Sequence, residues 1–188
     1  MIRLGGKYGL RFIIVLDAYM AADYPIKGEA WFHSGYKGEY VDHLTSVVTR
    51  LRGFPEVALW QLMGERSCAP EGETRSCYNS LVQRARVASE EIKKLDPCRP
   101  VAVGMISVGG PQPRGEEAWR KMHTFPSIDA VTVHIWTNVW YERELRIADE
   151  LGLPVLYTEV YHRAYKKNGR LLHEGILEER VPIIKELM

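Results

Sequence analysis

Five apolar runs, rich in branched and aromatic residues, punctuate the chain: Leu10 to Asp17, Val57 to Met63, Pro100 to Ser107, Ile128 to His134 and Pro154 to Thr158. None alternates strictly between apolar and polar residues, so each is expected to be a strand of a parallel sheet covered by helices. Helical periodicity fills the stretches between them. Tyr40 to Leu51 sets Val41, Leu44, Val47, Val48 and Leu51 on one face, and Phe54-Pro55 breaks that helix. Asn79 to Leu95 does the same with Leu81, Ala85, Ala88, Ile92 and Leu95, and stops at Asp96-Pro97. Glu142 to Leu151 is a further helix with Gly152 as its stop, and Glu174 to Met188 is expected to close the chain as a helix. The glycine pairs in Leu4-Gly5-Gly6 and Val108-Gly109-Gly110-Pro111 read as turns, since neither has the spacing of a dinucleotide or phosphate-binding loop.

The connections are uneven. Those that follow strands are long (Tyr19 to Glu39, Arg66 to Tyr78, Val108 to Arg114, Thr137 to Tyr141 and Tyr161 to His173), and those that precede strands are short. In α/β folds function collects at the C-terminal ends of the strands, so the long connections mark the working face. A closed barrel of β/α units needs eight strands and about 250 residues. Five units in 188 residues therefore read either as part of such a barrel or as an open doubly wound sheet, in one domain spanning residues 1–188.

Composition excludes several classes. Of the residues, 46% are hydrophobic and 26% charged, and 25 basic against 24 acidic side chains leave a net charge of +1. No basic excess points to nucleic acid. The apolar run Phe12 to Leu16 is too short to span a bilayer. No secretory apolar core follows Arg3, Lys7 and Arg11, so a cytoplasmic location is expected if the chain is complete. Cys68, Cys77 and Cys98 include no Cys-x-x-Cys pair, and no His/Cys cluster has zinc spacing, so neither metal nor cofactor is expected. Three unpaired thiols are the expectation, with a Cys68–Cys77 bridge as the alternative in an oxidising compartment.

Two of the runs lead into a glutamate: Trp60-Gln61-Leu62-Met63-Gly64-Glu65 and Pro154-Val155-Leu156-Tyr157-Thr158-Glu159. Two carboxyls at the C-terminal ends of parallel strands are the minimum equipment for retaining glycosidic cleavage, in which one protonates the leaving oxygen while the other attacks the sugar carbon. Either residue alone is as readily a solvated or ion-paired side chain.

Together with two further strings, these residues resemble the (β/α)8-barrel retaining glycoside hydrolases of the cellulase and mannanase type. Trp60 to Glu65 is similar to that family's Trp-Glu-Leu-Gly-Asn-Glu. Leu95-Asp96-Pro97-Cys98-Arg99-Pro100-Val101 is similar to Leu-Asp-Pro-x-Arg/His-Pro-Val. Ile128-Asp129-Ala130-Val131-Thr132-Val133-His134-Ile135-Trp136 is similar to Ile-Asp-x-Val-x-x-His-x-Tyr, and Gly152 to Glu159 to Gly-x-Pro-Val-x-x-Thr-Glu. The resemblance implies an incomplete TIM-barrel-like α/β fold holding strands three to seven. It implies Glu65 as general acid/base and Glu159 as nucleophile on a β-linked mannan or glucan. His134, Trp136, Tyr19, Tyr161 and Asp17 are the expected substrate-side residues. Indole rings suit the apolar face of a pyranose, but Trp31, Trp140 and Trp60 read rather as packing. The chain departs from the pattern where Gly64 replaces the family's asparagine and Trp136 its tyrosine. Strands one, two and eight are not recognisable. The competing reading is a weakly active or inactive glycosidase-like scaffold that binds carbohydrate. Open sheet edges recruit other chains, so either self-association or coverage by the Met1 to Gly9 arm and the C-terminal helix is expected.

Overall fold

The computed structural model describes residues 1–17, 38–64, 75–104, 113–135, 141–160, 165–167 and 170–172. Its elements are α1 (Ile2–Lys7), β1 (Phe12–Val15), α2 (Glu39–Leu51), β2 (Val57–Gln61), α3 (Arg75–Leu95), β3 (Val101–Ala102), α4 (Pro113–His123), β4 (Val131–Ile135), α5 (Tyr141–Leu151), β5 (Val155–Val160) and the short strands β6 (Tyr165–Lys167) and β7 (Arg170–Leu172). The expected helix from Glu174 onward lies outside the described residues.

The first five strands are parallel neighbours in chain order. β1 pairs with β2, β2 with β3 and β4 with β5, and a parallel bridge between Ala102 and Ala130 joins the two groups. A doubly wound sheet reverses direction at a switch point. An order that never reverses is the arc of a barrel, with α2 to α5 contributing to one outer core and neighbours packed in sequence: α2 packs on α3, and α3 on α4.

Register divides the side chains between two faces. Ile14, Trp60, Val101 and Val131 lie on the outer face, in the large core with Leu44, Val48, Leu81, Ala85, Ala88, Ile92, Trp119, Met122 and Ile147 from the helices. Each large aliphatic side chain fully buried there contributes about 1.5–3 kcal/mol. The inner face carries a small separate cluster of Leu59, Ala102 and Ala130. At the rims of this face Ile13, Val15 and Leu156 remain 39%, 43% and 38% exposed. β1 is thus an apolar run with alternating burial, because helices cover only its outer side.

Two of the family-like strings turn out to be latches at the opposite, N-terminal end of the strands. Asp96 accepts from the Trp60 indole N–H (3.0 Å) and from Arg99 (2.6 Å), and Arg99 also donates to the carbonyls of Arg52 and Phe54. Asp129 accepts from the Val101 N–H through its carboxylate (2.8 Å), donates its own N–H to the Val101 carbonyl (2.9 Å), and pairs with Lys93. These bonds tie β3 to β4 and α3 to the turn before β2.

One local expectation is corrected, and two elements appear that the sequence reading did not include. Leu4-Gly5-Gly6 is not a turn but the middle of α1, whose Gly5 is buried against Phe12. α4 was not legible because Ala118, Trp119 and Met122 are the only apolar side chains in its otherwise charged Glu116 to His123 stretch. The connection after β5 contains the antiparallel β6–β7 hairpin, which pairs Tyr165 with Leu172 and Lys167 with Arg170. The intervening Asn168-Gly169 is the usual sequence signal for a two-residue hairpin turn.

The N-terminal arm does not run along the β1 edge. α1 packs at the foot of β1 and β2, with Gly6 against the Glu56 side chain and Arg3 over the Phe54 ring at 5.2 Å. Cys98 is a free, exposed thiol. Among the described residues no helix is long and apolar enough to cross a membrane.

Candidate active site

Because the five strands are parallel, their C-terminal ends share one edge of the sheet. Asp17 closes β1, and Gly64, the residue before Glu65, follows β2. His134 belongs to β4 and Glu159 to β5. Tyr19, Glu65, Trp136 and Tyr161 lie outside the described residues, each within a few positions in sequence of one of these strand ends; Trp31 and Trp140 also lie outside the described residues.

The approach to Glu65 is held on both sides. The Leu62 and Met63 N–H groups donate to the Ala102 and Val103 carbonyls of the β3 side (both 2.9 Å). On the β1 side the Gly64 N–H donates to the Asp17 carbonyl (2.7 Å). From the helix layer the Tyr40 hydroxyl donates to the Leu62 carbonyl (2.8 Å). The inner side is filled by Gln61, whose carboxamide N–H donates to the Met63 carbonyl (2.9 Å) beside Gly104. Gly104 has φ +78°, and a β-carbon there would overlap the Met63 carbonyl oxygen, so both conformation and space require glycine.

On the other side of the arc, the register sets His134 beside Glu159 through an irregularity between Val133 and His134. Such irregularities re-aim side chains and favour sites next to active centres. Along the inner face, composition changes toward the C-terminal ends. Leu59 and Ala130 are followed two residues on by Gln61 and Thr132, each 2% exposed. The Gln61 Oε1 and Thr132 Oγ1 atoms have no partner among the described residues. A polar lining therefore begins where the expected site lies, above an apolar layer.

Asp17 has a partner already. Its carboxylate accepts from the Arg84 guanidinium, which is buried in α3 and lies over the Tyr40 ring at 3.9 Å. Neither Arg84 nor Tyr40 was singled out from the sequence. The signal was present for Arg84: an arginine at position 84 falls on the Leu81, Ala85, Ala88 stripe, where a solvated charge has no place. Among the described residues no three His, Cys, Asp or Glu side chains group as a metal site.

No family model matches the chain. Among curated proteins it is similar to the "Probable mannan endo-1,4-beta-mannosidase F" of Neosartorya fischeri, 25% identical over 185 residues, covering 81% of this chain and 39% of that protein. It is also similar to the mannan endo-1,4-beta-mannosidase F of Aspergillus fumigatus, 25% identical over 166 residues, covering 77% of this chain and 36% of that protein. The chain thus spans less than half the length of these relatives. Among solved structures it superposes on the endo-β-1,4-mannanase of Thermotoga petrophila with a TM-score of 0.64 at 24% identity, over 82% of this chain and 43% of that one. The endo-1,4-β-mannanase of Rhizomucor miehei gives 0.62 at 18% identity, over 82% and 55%. The chain is therefore part of a (β/α)8 barrel like those of glycoside hydrolases, and its relatives are mannan endo-1,4-β-mannosidases.

Proposed function

We propose that the chain carries the acid and the nucleophile of a retaining glycoside hydrolase acting on β-1,4-linked mannan. Glu65 protonates the glycosidic oxygen while Glu159 attacks the anomeric carbon, and Glu65 then deprotonates the water that releases the glycosyl-enzyme. His134, Trp136, Tyr19 and Tyr161 would face the sugar. The observation that supports this most is the unreversed strand order. β2 and β5 stand three strand steps apart, ~14 Å of arc at about 4.8 Å per step. Curling shortens that span, so two strand ends at this spacing are compatible with the roughly 5–5.5 Å carboxyl separation of a retaining pair.

The test is hydrolysis of a β-1,4-mannan and of an aryl β-mannoside. Glu159→Gln is expected to abolish turnover, and Glu65→Gln to lower kcat by about 10²- to 10⁴-fold, least on substrates with good leaving groups. Activity untouched by either substitution refutes the assignment. One observation favours a second reading, a weakly active or inactive carbohydrate-binding scaffold: Gly64 stands where the resembling string has an asparagine. Mannan-oligosaccharide binding with no turnover, unchanged by both substitutions, would support that alternative.

A further inference from the structure

A buried charge pair outside the expected catalytic pair helps link the helix layer to the ends of β1 and β2, two of the segments that lead to the site. Arg84 is 1% exposed, and its guanidinium donates to the Asp17 carboxylate. The Tyr40 ring beneath the guanidinium holds the Leu62 carbonyl through its hydroxyl. The Asp17 carbonyl accepts from the Gly64 N–H, and Glu65 is next in the chain. His43 adds a second helix-borne contact, from its Nε2–H to the Leu16 carbonyl at 3.1 Å.

A buried ion pair is a poor device for stability, because desolvating two charges offsets most of their attraction and apolar replacements often match it. It is a good device for geometry: the guanidinium is planar and its hydrogen bonds are directional. An apolar pair at positions 17 and 84 would fill the same space without fixing where the β1 end sits.

We propose that Asp17 and Arg84 form a positioning pair, not a substrate contact, that sets the Gly64 backbone and thereby the direction in which the chain enters Glu65. This rests on the reading of Glu65 as the acid/base, but the backbone part is separable from it. Arg84 holds Asp17 from α3, Asp17 holds Gly64 through its main chain, and Tyr40 fixes Leu62 from α2. The pair acts through Glu65 and touches no substrate itself.

The experiment compares the parent with the double variant Asp17→Leu/Arg84→Met, which keeps volume and removes both charges together, and with Asp17→Asn. Amide hydrogen exchange is followed at Gly64 and, as a control, at Ile92 in the core of α3. Gly64 is expected to exchange about tenfold faster in the double variant, the worth of one backbone hydrogen bond, while Ile92 is unchanged. Asp17→Asn should show the same change in smaller measure, and it serves as the test if the double variant does not fold. On mannan, kcat should fall with KM unchanged. Parallel acceleration at Gly64 and Ile92 would mean a merely structural role and overturn the proposal, as would unchanged Gly64 exchange in a folded variant. Faster exchange at Gly64 with kcat untouched in an active protein would overturn the link to Glu65. A parent without any turnover refutes the hydrolase reading, and the exchange result still decides the positioning of Gly64.

Discussion

His123 offers a quantitative test of how the α4 layer is buried. Its ring is 4% exposed, stacks on Trp119 with centroids 3.9 Å apart, and donates its Nδ1–H to the Trp119 carbonyl at 2.7 Å. Burial disfavours the charged imidazolium and lowers its pKa from 6.5 to about 4; the bond to Trp119 opposes this only in part. A base whose folded pKa is depressed is protonated first in the unfolded chain. Its contribution to stability is therefore whole above pH 6.5 and is lost as the pH falls toward 4. The full difference, from 6.5 to about 4 at 1.36 kcal/mol per unit, is about 3 kcal/mol. Linkage gives a loss of about 1 kcal/mol at pH 5.5 and most of the full amount by pH 4. His123→Phe keeps the ring and removes the titration. Urea unfolding of both proteins between pH 7.5 and 4 isolates the term, because every other group titrates alike in both. The parent is expected to be more stable by about 1 kcal/mol at pH 7.5, for the hydrogen bond lost. The order should reverse by pH 4. A stability difference that does not change with pH would refute the burial argument.

Two further outcomes are expected. Gly104→Ala and Gly152→Ala both place a side chain at positive φ, but a β-carbon at Gly152 meets nothing within 4 Å, whereas one at Gly104 overlaps the Met63 carbonyl. Gly152→Ala should destabilise by about 1–2 kcal/mol, and Gly104→Ala by more, with slower turnover if the chain is active; equal losses in thermal unfolding would count against the crowding at Gly104. No described strand pairs with the outer edges of β1 or β5, so residues 1–188 produced by themselves are expected to self-associate through them; sedimentation of that polypeptide as a monomer across concentrations would exclude this.

Much of the fold was legible because two periodicities carry it. Continuous apolar runs gave the five strands, and the 3.6-residue stripes gave Leu44 and Val48 in α2, whose buried face is completed by Tyr40 and not by the expected Val41, and Leu81, Ala85, Ala88 and Ile92 in α3. Gly152 was legible as a helix stop. It sits at φ +67°, and the Gly152 and Leu153 N–H groups cap the Asp149 and Ala148 carbonyls. α4 escaped notice because three apolar residues among charges make too weak a stripe. Periodicity alone left barrel and doubly wound sheet open, since both use the same β/α units in the same order; the resemblance of the four strings pointed to the barrel, and the unreversed strand order agrees with it.

By itself the sequence determined the parallel α/β class, the working edge marked by its long connections, and the placing of two glutamates after apolar strands. These follow from local chemistry: the period of burial, the turn residues and the charge of single side chains. Tertiary structure alone decided which strands are neighbours, and so that the sheet is an arc. It also decided that Asp96 and Asp129 serve as latches at the far end, and that Asp17 faces an arginine carried by a helix much later in the chain. Those outcomes depend on pairings between distant residues: the sequence can mark Arg84 as a charge on an apolar stripe, but its partner, like a strand register, is fixed only when both segments are folded against each other.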